Sequence, residues 1–462
     1  MSLTLLPVLT RADVERIHER SLDLLERVGI VYNTPRALEV LAQAGCPVDY
    51  ERLWAALPRE VVEWALTQAP RVVRLCARDP ARDVVLDGRR SHHTVDSQGT
   101  QVVDLETGAV RVSTADDLAR GFLFADALDR VEIANVMVAA TDVPAHVRPI
   151  RQFALGFTHT SKHVRCGVLD PRHIPYITDI ARAATGGADF RPVFSAVYCT
   201  VSPLMHDGLN VEAAIELAGL GVPMLLHPMP LAGGTSPVAP AGSALLHNVE
   251  VLSALTLFQL LNPGTPLIYA AGAAQLDMLT GQYRINPLEH RLKLALREMA
   301  RFYNLPVNIG GLSSSSFQLD ALYGYEATTT CLLAYLTGAD EVYSIGLLGS
   351  AQILSLEKMV LDNHLARELE TMVQPVVVDE ERLQAEVIER VGIGGHYLSQ
   401  PETRAFTRRE YTPVWPPVGK DMLDLVREEA LQILRTHQPP PLPDGAAARI
   451  EAIVARADRE LA

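Results

Sequence analysis

Two histidines sit where strand-like runs give way to loops, the places from which a side chain can reach a substrate. His227 follows the apolar run "PMLL" and opens the segment "HPMPLAGGTSPVAPAG", while His206 lies in the loop after "RPVFSAVYC". Imidazole titrates near neutral pH and serves as base, hydrogen-bond partner or metal ligand, and equally as a satisfied structural group. A metal-assisted lyase or hydrolase would need ligand-spaced pairs, and the chain has neither HxH nor HExxH. His92 and His93 are adjacent and read as surface or hairpin residues. Cys46, Cys76, Cys166, Cys199 and Cys331 are scattered without a CxxC pair, which fits a reducing compartment and leaves no cysteine zinc site. No metal site is expected. A GxGxxG turn and a GxxxxGK[ST] phosphate loop are also missing.

The elements that position these groups are legible from periodicity. Thr10 with Asp13, and Thr114 with Asp117, form capping boxes ahead of apolar residues at helical spacing. "TPRALEVLAQAG" and "PREVVEWALTQAP" read as two short helices, and "QVVDLETGAVRVS" as a hairpin turning at Glu106, Thr107 and Gly108. From Val131 strand and helix alternate. "VEIANVMVA", "HVRCGV", "RPVFSAVYC", "PMLLHP", "PLIYAAG", "PVNIGG" and "EVYSIG" are the strands. Runs apolar on both faces suit parallel strands covered by helices, and a series this long favours an α/β (β/α)₈ TIM barrel over a doubly wound sheet. The eighth strand is expected either in "PVVVDE" after Gln374 or within the earlier hairpin. The division read from this pattern is an N-terminal helical and hairpin extension over 1–130, a barrel core over 131–375, and a C-terminal tail with helices over 376–462. In such a barrel the loops at the C-terminal strand ends carry function, and "HPMPLAGGTSPVAPAG" reads as one held in shape by its prolines and glycines.

With 41 Lys and Arg against 55 Asp and Glu the net charge is −14, which argues against nucleic acid or anionic membrane as partner. The N-terminus lacks a basic start with a long apolar core, so a cytoplasmic protein is expected.

Seven motifs occur in a fixed order: "DLETGAVRVSTADDL", "SPL" at Ser202–Leu204, "PLAGGTSPVAPAG", "QLLNPGTPLIYAAG", "LDALYGYEATTTCLLAYLTGAD", "SLEKMVLDNHLARE" and "GIGGHYL". As a set they resemble the trimethylamine methyltransferase superfamily along nearly the whole chain. The resemblance implies a barrel that moves a methyl group from an amine to the cobalt of a separate corrinoid protein. Founding members carry pyrrolysine; this chain has none and is similar to the larger branch, some of whose members demethylate quaternary amines such as glycine betaine. No DxHxxG corrinoid signature is present, so corrinoid (cobalamin) is expected on a cognate partner protein rather than bound tightly here. A homo-oligomer is also expected.

A quaternary ammonium has no N–H, so aromatic faces and nearby negative charge must hold it. Tyr198, Tyr325 and Tyr397 are candidates for that wall, with His206 and His227 near the mouth. If the substrate carries a carboxylate, His227, Gln275 and the hydroxyls from Ser313 to Ser316 could bind it. Asp320 and Glu326 match acidic positions of the family motif and are expected as cation-orienting or scaffolding groups. His396 belongs to the "GGHYL" match, although Glu402-Thr403 replaces a His-Thr pair usual in the family. Gly233, Gly234 and Gly346 are expected to act through backbone shape where the cofactor approaches. A binding protein that has lost transfer is the alternative outside enzymology.

Overall fold

The computed structural model describes residues 7–187, 190–410 and 415–462. At its centre eight parallel strands close into a barrel in chain order: β1 (His92–Val95), β2 (Ile133–Asn135), β3 (His163–Gly167), β4 (Phe194–Tyr198), β5 (Met224–Leu226), β6 (Leu267–Ala270), β7 (Val307–Gly310) and β8 (Glu341–Ile345). A helix follows each strand: α1 (Ala115–Ala127), α2 (Arg148–His159), α3 (Ile174–Thr185), α4 (Gly208–Gly219), α5 (Pro240–Leu261), α6 (Pro287–Phe302), α7 (Ala321–Leu336) and α8 (Leu356–Met372). The (β/α)₈ architecture expected from the alternation is therefore the one formed. The capping boxes at Thr10 and Thr114 close as read, each hydroxyl accepting from the backbone three residues on.

The closing strand lies elsewhere than expected. β1 comes from within the segment assigned to the extension, upstream of residue 131, and pairs in parallel with both β8 and β2. Val376, Val377 and Val378 of "PVVVDE" are exposed and join no strand. The reason is chemical: β1 turns His92 and Thr94 inward, so it lacks the apolar run that marks the other strands. His92 and His93 are accordingly buried barrel residues. His92 Nε2 lies 3.2 Å from the Val85 carbonyl, and His93 Nε2 lies 2.6 Å from the Tyr335 hydroxyl.

Val85 belongs to an antiparallel hairpin, Val73–Leu75 with Val84–Leu86, that plugs the N-terminal end of the barrel. Val73, Leu75, Val84 and Leu86 form one apolar cluster with Ile133, Leu225, Ile268 and Ala270. Helices Arg11–Arg27, Pro35–Gln43 and Arg59–Gln68 pack on α5 from outside. α5 is thus covered on both sides, which explains a 22-residue helix apolar all round. It is long and apolar enough to cross a membrane by composition, but its side chains are mostly buried in this fold. The expected hairpin forms from Gln101–Val103 and Val110–Val112, and Ile353–Leu354 after β8 extends it at the open end of the barrel. Helix Met422–Thr436 packs on α8 and α1, and Ala446–Leu461 on α2 and α3.

Candidate active site

Alternate residues of a strand face opposite sides, so the barrel lumen is read by counting in twos. His163 and Arg165 from β3, Ser195 from β4, Asn308 from β7 and Glu341 from β8 form one polar layer. Arg165 grips Glu341 through hydrogen bonds of 2.7 and 2.8 Å and donates from Nε to Ser195 Oγ at 2.9 Å. Asn308 Nδ2 donates to Glu341 at 2.8 Å. Both charges are fully buried, which is tolerable because the pair is bidentate and every nitrogen of Arg165 and both oxygens of Glu341 have at least one hydrogen-bond partner. Burial pushes the Glu341 carboxyl up, but Arg165 and Asn308 more than reverse it and hold the group ionised.

One step nearer the mouth the inward positions are Asp96, His227, Gly310 and Tyr343. The rings of His227 and Tyr343 meet edge to face, with centroids 5.9 Å apart at 70°. His227 fits there because residue 272 is glycine: a Cβ would stand 2.0 Å from the imidazole Cδ2. A Cβ on Gly310 would lie 3.3 Å from both Lys293 Nζ and the Tyr343 hydroxyl, so that glycine also leaves room for two polar tips. Lys293 reaches in from α6 and pairs with Glu289 at 2.6 Å, while the Tyr283 hydroxyl donates to the same carboxylate at 3.2 Å.

Burial and neighbouring charges set the protonation of this layer. Burial, reinforced by Lys293 and Arg165, lowers the His227 imidazole to about 4, so it is neutral at neutral pH. Burial raises Asp96 against the opposing pull of the Ser97 amide and Lys358. Burial also works against the charge on Lys293, but Glu289 outweighs it and keeps the ammonium protonated. His227 Nε2, Asn308 Oδ1 and Glu289 Oε2 are buried with no hydrogen-bond partner among the described residues. Two of these are obligate acceptors, and a neutral imidazole keeps one acceptor nitrogen. The sequence reading found only His227 of this group. Asp96, Tyr283, Glu289, Lys293 and Tyr343 escaped it; a recognised β1 would have put Asp96 at a strand end, where Tyr343 of "EVYSIG" already stood.

The family motifs mainly brace this layer from behind. At Tyr343–Ile345 the register with β1 shifts, and Ser344 takes φ 102°, a conformation that a non-glycine residue holds only under tertiary constraint. Lys358 of α8 supplies the constraint, donating to the Leu312 and Ser344 carbonyls at 2.9 and 3.1 Å and pairing with Asp362 at 2.6 Å. The Tyr323 hydroxyl and the Gly346 amide also donate to Asp362. Glu326 accepts from the Ser314 hydroxyl at 3.0 Å and from the Ser315 amide and hydroxyl at 2.6 and 2.7 Å. It therefore shapes the serine loop, the scaffolding alternative for this residue. Ser313 turns instead to the Ser344 hydroxyl at 2.8 Å. Asp320 caps α7 through the Tyr323 amide and stands exposed on the rim.

Several expected ligand residues lie away from the lumen. Tyr198 is one position out of phase with Ser195 and Val197, so it faces the helices and packs on Phe258 of α5. Its hydroxyl donates to His206 Nδ1 at 2.6 Å, and His206 Nε2 donates to Ser253 Oγ at 3.0 Å. The tautomer is fixed because the Ser253 proton is committed to the Glu250 carbonyl. The His206 ring also stacks on Tyr32 at 4.3 Å, so the cluster joins barrel wall, α5 and extension. Tyr325 is 65% exposed on the outside of α7, and His396 and Tyr397 are exposed in the tail. Gly346 faces Met359 of α8 rather than the mouth.

Over the mouth, Leu231–Ala232 from the loop after β5 pairs with Ala274–Gln275 from the loop after β6. Gln275 thus belongs to a small lid. Gly233, at φ 90°, makes the turn in that lid, and both it and Gly234 let the two loops press together against Met278 and Leu276. A cleft of about 680 Å³ opens beside it, lined by Tyr283, Arg284, Phe317, Asp320 and Gln352 among others. Leu169, Met229, Val238, Met278, Leu279 and Phe317, from the loops after β3, β5, β6 and β7, are exposed around this end. Among the described residues no group of His, Cys, Asp and Glu is arranged to hold a metal ion.

A family profile described as trimethylamine methyltransferase matches residues 2–462. The chain is 32% identical over 458 residues to trimethylamine methyltransferase MttB of Desulfitobacterium hafniense, covering 96% of this chain and 92% of that protein. It is 31% identical over 470 residues to a glycine betaine methyltransferase from another strain of that species, covering 98% of each. Among solved structures, the monomethylamine methyltransferase MtmB of Methanosarcina barkeri aligns with a TM-score of 0.48 at 11% identity, covering 97% of this chain and 91% of that one.

Proposed function

Because the chain belongs to the trimethylamine methyltransferase family and is accordingly an enzyme that transfers methyl groups, we propose that its donor is a quaternary amine of the glycine betaine kind and its acceptor the cobalt(I) of a corrinoid held by a separate protein. The observation that carries the reading is the lumen layer: two aromatic rings, His227 and Tyr343, meeting edge to face, with the Asp96 carboxyl beside them and buried acceptors that lack partners. A quaternary ammonium donates no hydrogen bond and is held by ring faces and negative charge. Neutral His227 adds wall without adding repulsion.

In the transfer the N–CH₃ bond breaks, nitrogen keeps the electron pair, and a neutral tertiary amine leaves. No proton is required, so the protein's work is alignment and exclusion of water. A tertiary donor would need activation first, and the chain carries no pyrrolysine. Asp96 faces the cation, His227 and Tyr343 fix the direction of the departing methyl, and the lid over the mouth limits water. The corrinoid supplies the nucleophile when its carrier docks. The exposed apolar residues around the mouth support such docking, since apolar patches mark interaction sites. A cytoplasmic location, and no nucleic-acid or membrane partner, belong to the same reading.

The test is calorimetric titration with glycine betaine, proline betaine, carnitine, choline and trimethylamine, followed by turnover with a cobalt(I) corrinoid protein. Saturable binding of one quaternary amine, weakened by His227→Ala, together with corrinoid-dependent loss of its methyl group, is the expected result. Binding without transfer would make the chain a quaternary-amine binding protein, and preference for trimethylamine would overturn the donor class.

A further inference from the structure

Four of the 41 basic residues are lysines, and three of those, Lys162, Lys293 and Lys358, are buried. A buried ammonium is tolerable when each of its three protons meets an acceptor. Lys162 donates to the carbonyls of Ala125, Leu128 and Val131, and Lys358 to those of Leu312 and Ser344 and to the Asp362 carboxylate. Lys293 is different. Its one partner among the described residues is Glu289, at 2.6 Å, and its tip borders the lumen at Gly310, near the Tyr343 hydroxyl. Two of its protons are therefore free for a ligand. The pair is not a closed structural clasp either, because Glu289 Oε2 has no partner, and apolar side chains of similar volume would pack there at no cost in stability. Arg165, the other cation of the lumen, has all three nitrogens committed to Glu341 and Ser195.

Asp96 carries the opposite charge in the same layer. It forms no ion pair with Lys293 among the described residues, yet the two sense each other: burial raises the Asp96 carboxyl, and Lys293 is among the charges that oppose the rise. The layer thus presents a separated plus and minus. A simple cation against the His227 and Tyr343 rings would meet the Lys293 charge uncompensated, whereas a ligand with a carboxylate of its own cancels it. We infer that Lys293 is the specificity-determining residue of the site, taking the carboxylate of a zwitterionic donor, so that quaternary-ammonium carboxylates enter and donors without an anionic group, such as choline, are refused. The inference rests on the quaternary-amine reading above and adds the group at the donor's other end. The carboxylate ligands expected from the sequence are otherwise engaged: Ser313 donates to Ser344, Ser314 and Ser315 to Glu326, Gln275 belongs to the lid, and His227 is neutral. Glu289, braced by the Tyr283 hydroxyl on the oxygen that meets Lys293, fixes the direction of the ammonium.

Calorimetric titration of the full chain with glycine betaine, proline betaine and carnitine, each beside its uncharged carboxamide, and with choline tests the assignment. In the wild type the carboxylate that binds is expected to do so about 10- to 100-fold more tightly than its carboxamide or choline, the range of a hydrogen bond between charged groups. Lys293→Met, which keeps the length of the side chain and removes its charge, is expected to lower the carboxylate's affinity by that factor without weakening the carboxamide. A residue that only braced the fold would weaken both alike. Should the unpaired Glu289 unfold that variant, Glu289→Gln combined with Lys293→Met removes both charges at nearly unchanged shape and is expected to lose the same preference. Equal affinity for carboxylate and carboxamide in the wild type, or a preference that survives loss of the Lys293 charge, overturns the inference and leaves the quaternary-amine reading standing. Failure of every quaternary compound to bind overturns both.

Discussion

Gly272→Ala tests the geometry of the lumen with a single methyl group. The new Cβ would lie 2.0 Å from His227 Cδ2, 2.1 Å from Nε2 and 3.1 Å from the Pro228 carbonyl. Carbon atoms do not approach so closely, so the imidazole must swing by more than an ångström and lose its edge-to-face contact with Tyr343. Overpacking of this kind costs about 1–3 kcal/mol. With an unfolding entropy near 2.1 cal/mol/K per residue, a chain of this length loses about 1–3 °C in Tm. One aromatic wall contributes about 1–2 kcal/mol to a bound cation, so Kd for the quaternary amine rises about 5- to 30-fold. Differential scanning fluorimetry and calorimetric titration give the two numbers. His227→Ala in the Gly272→Ala background should recover the lost Tm, since the clash disappears, while leaving binding weak. Unchanged Tm and Kd in Gly272→Ala would refute the position of His227 and the pocket built on it.

Tyr198→Phe removes the donor to His206 Nδ1 and strands a buried acceptor, a loss of about 1–3 kcal/mol that should appear in Tm with Kd unchanged. A tenfold rise in Kd would mean that this cluster reaches the substrate after all. Asp96→Asn should weaken the quaternary amine about tenfold while leaving its tert-butyl analogue, carbon in place of nitrogen, unaffected; equal loss for both would remove Asp96 as the charge partner. Glu326→Ala frees the Ser314 and Ser315 groups it now accepts from, and faster amide exchange confined to the serine loop is the expected readout. Burial lowers His163, His206 and His247 to about 3 and His227 to about 4, all below the unfolded value of 6.5. The unfolded chain therefore binds more protons than the fold between these values, so stability is complete above about 6.5 and falls with pH by up to about 1.4 kcal/mol per unit per histidine. A Tm that stays level from pH 6.5 to 5 would contradict it.

Helix starts were readable because a cap is a local event: Thr114 and Asp117 satisfy each other's backbone within one turn. Seven barrel strands were readable because their outward faces must be apolar to meet helices. β1 was not, since its short "HHTV" run turns polar side chains toward the plug and the polar layer. Tyr198 was misplaced for a related reason. Its position at a strand end is written in the sequence, but whether it faces lumen or helix depends on parity counted from Ser195, which sequence alone does not calibrate. Glu326 stood out as a motif residue and Lys358 lies unremarked within "SLEKMVLDNHLARE", yet what both hold is backbone that holds the site.

The sequence by itself determined the alternation of strand and helix, the caps, the acidic balance and, through its ordered motifs, the family. These depend on interactions within a few residues or on composition. The tertiary structure decided which strand closes the barrel, which side chains share the lumen and which wall off the helices. Asp96 and Tyr343 come from the first and last strands, and they share the mouth only because β8 pairs with β1. Closure and register are cooperative properties of the whole sheet, and a one-residue shift in either would turn every site residue to the opposite face.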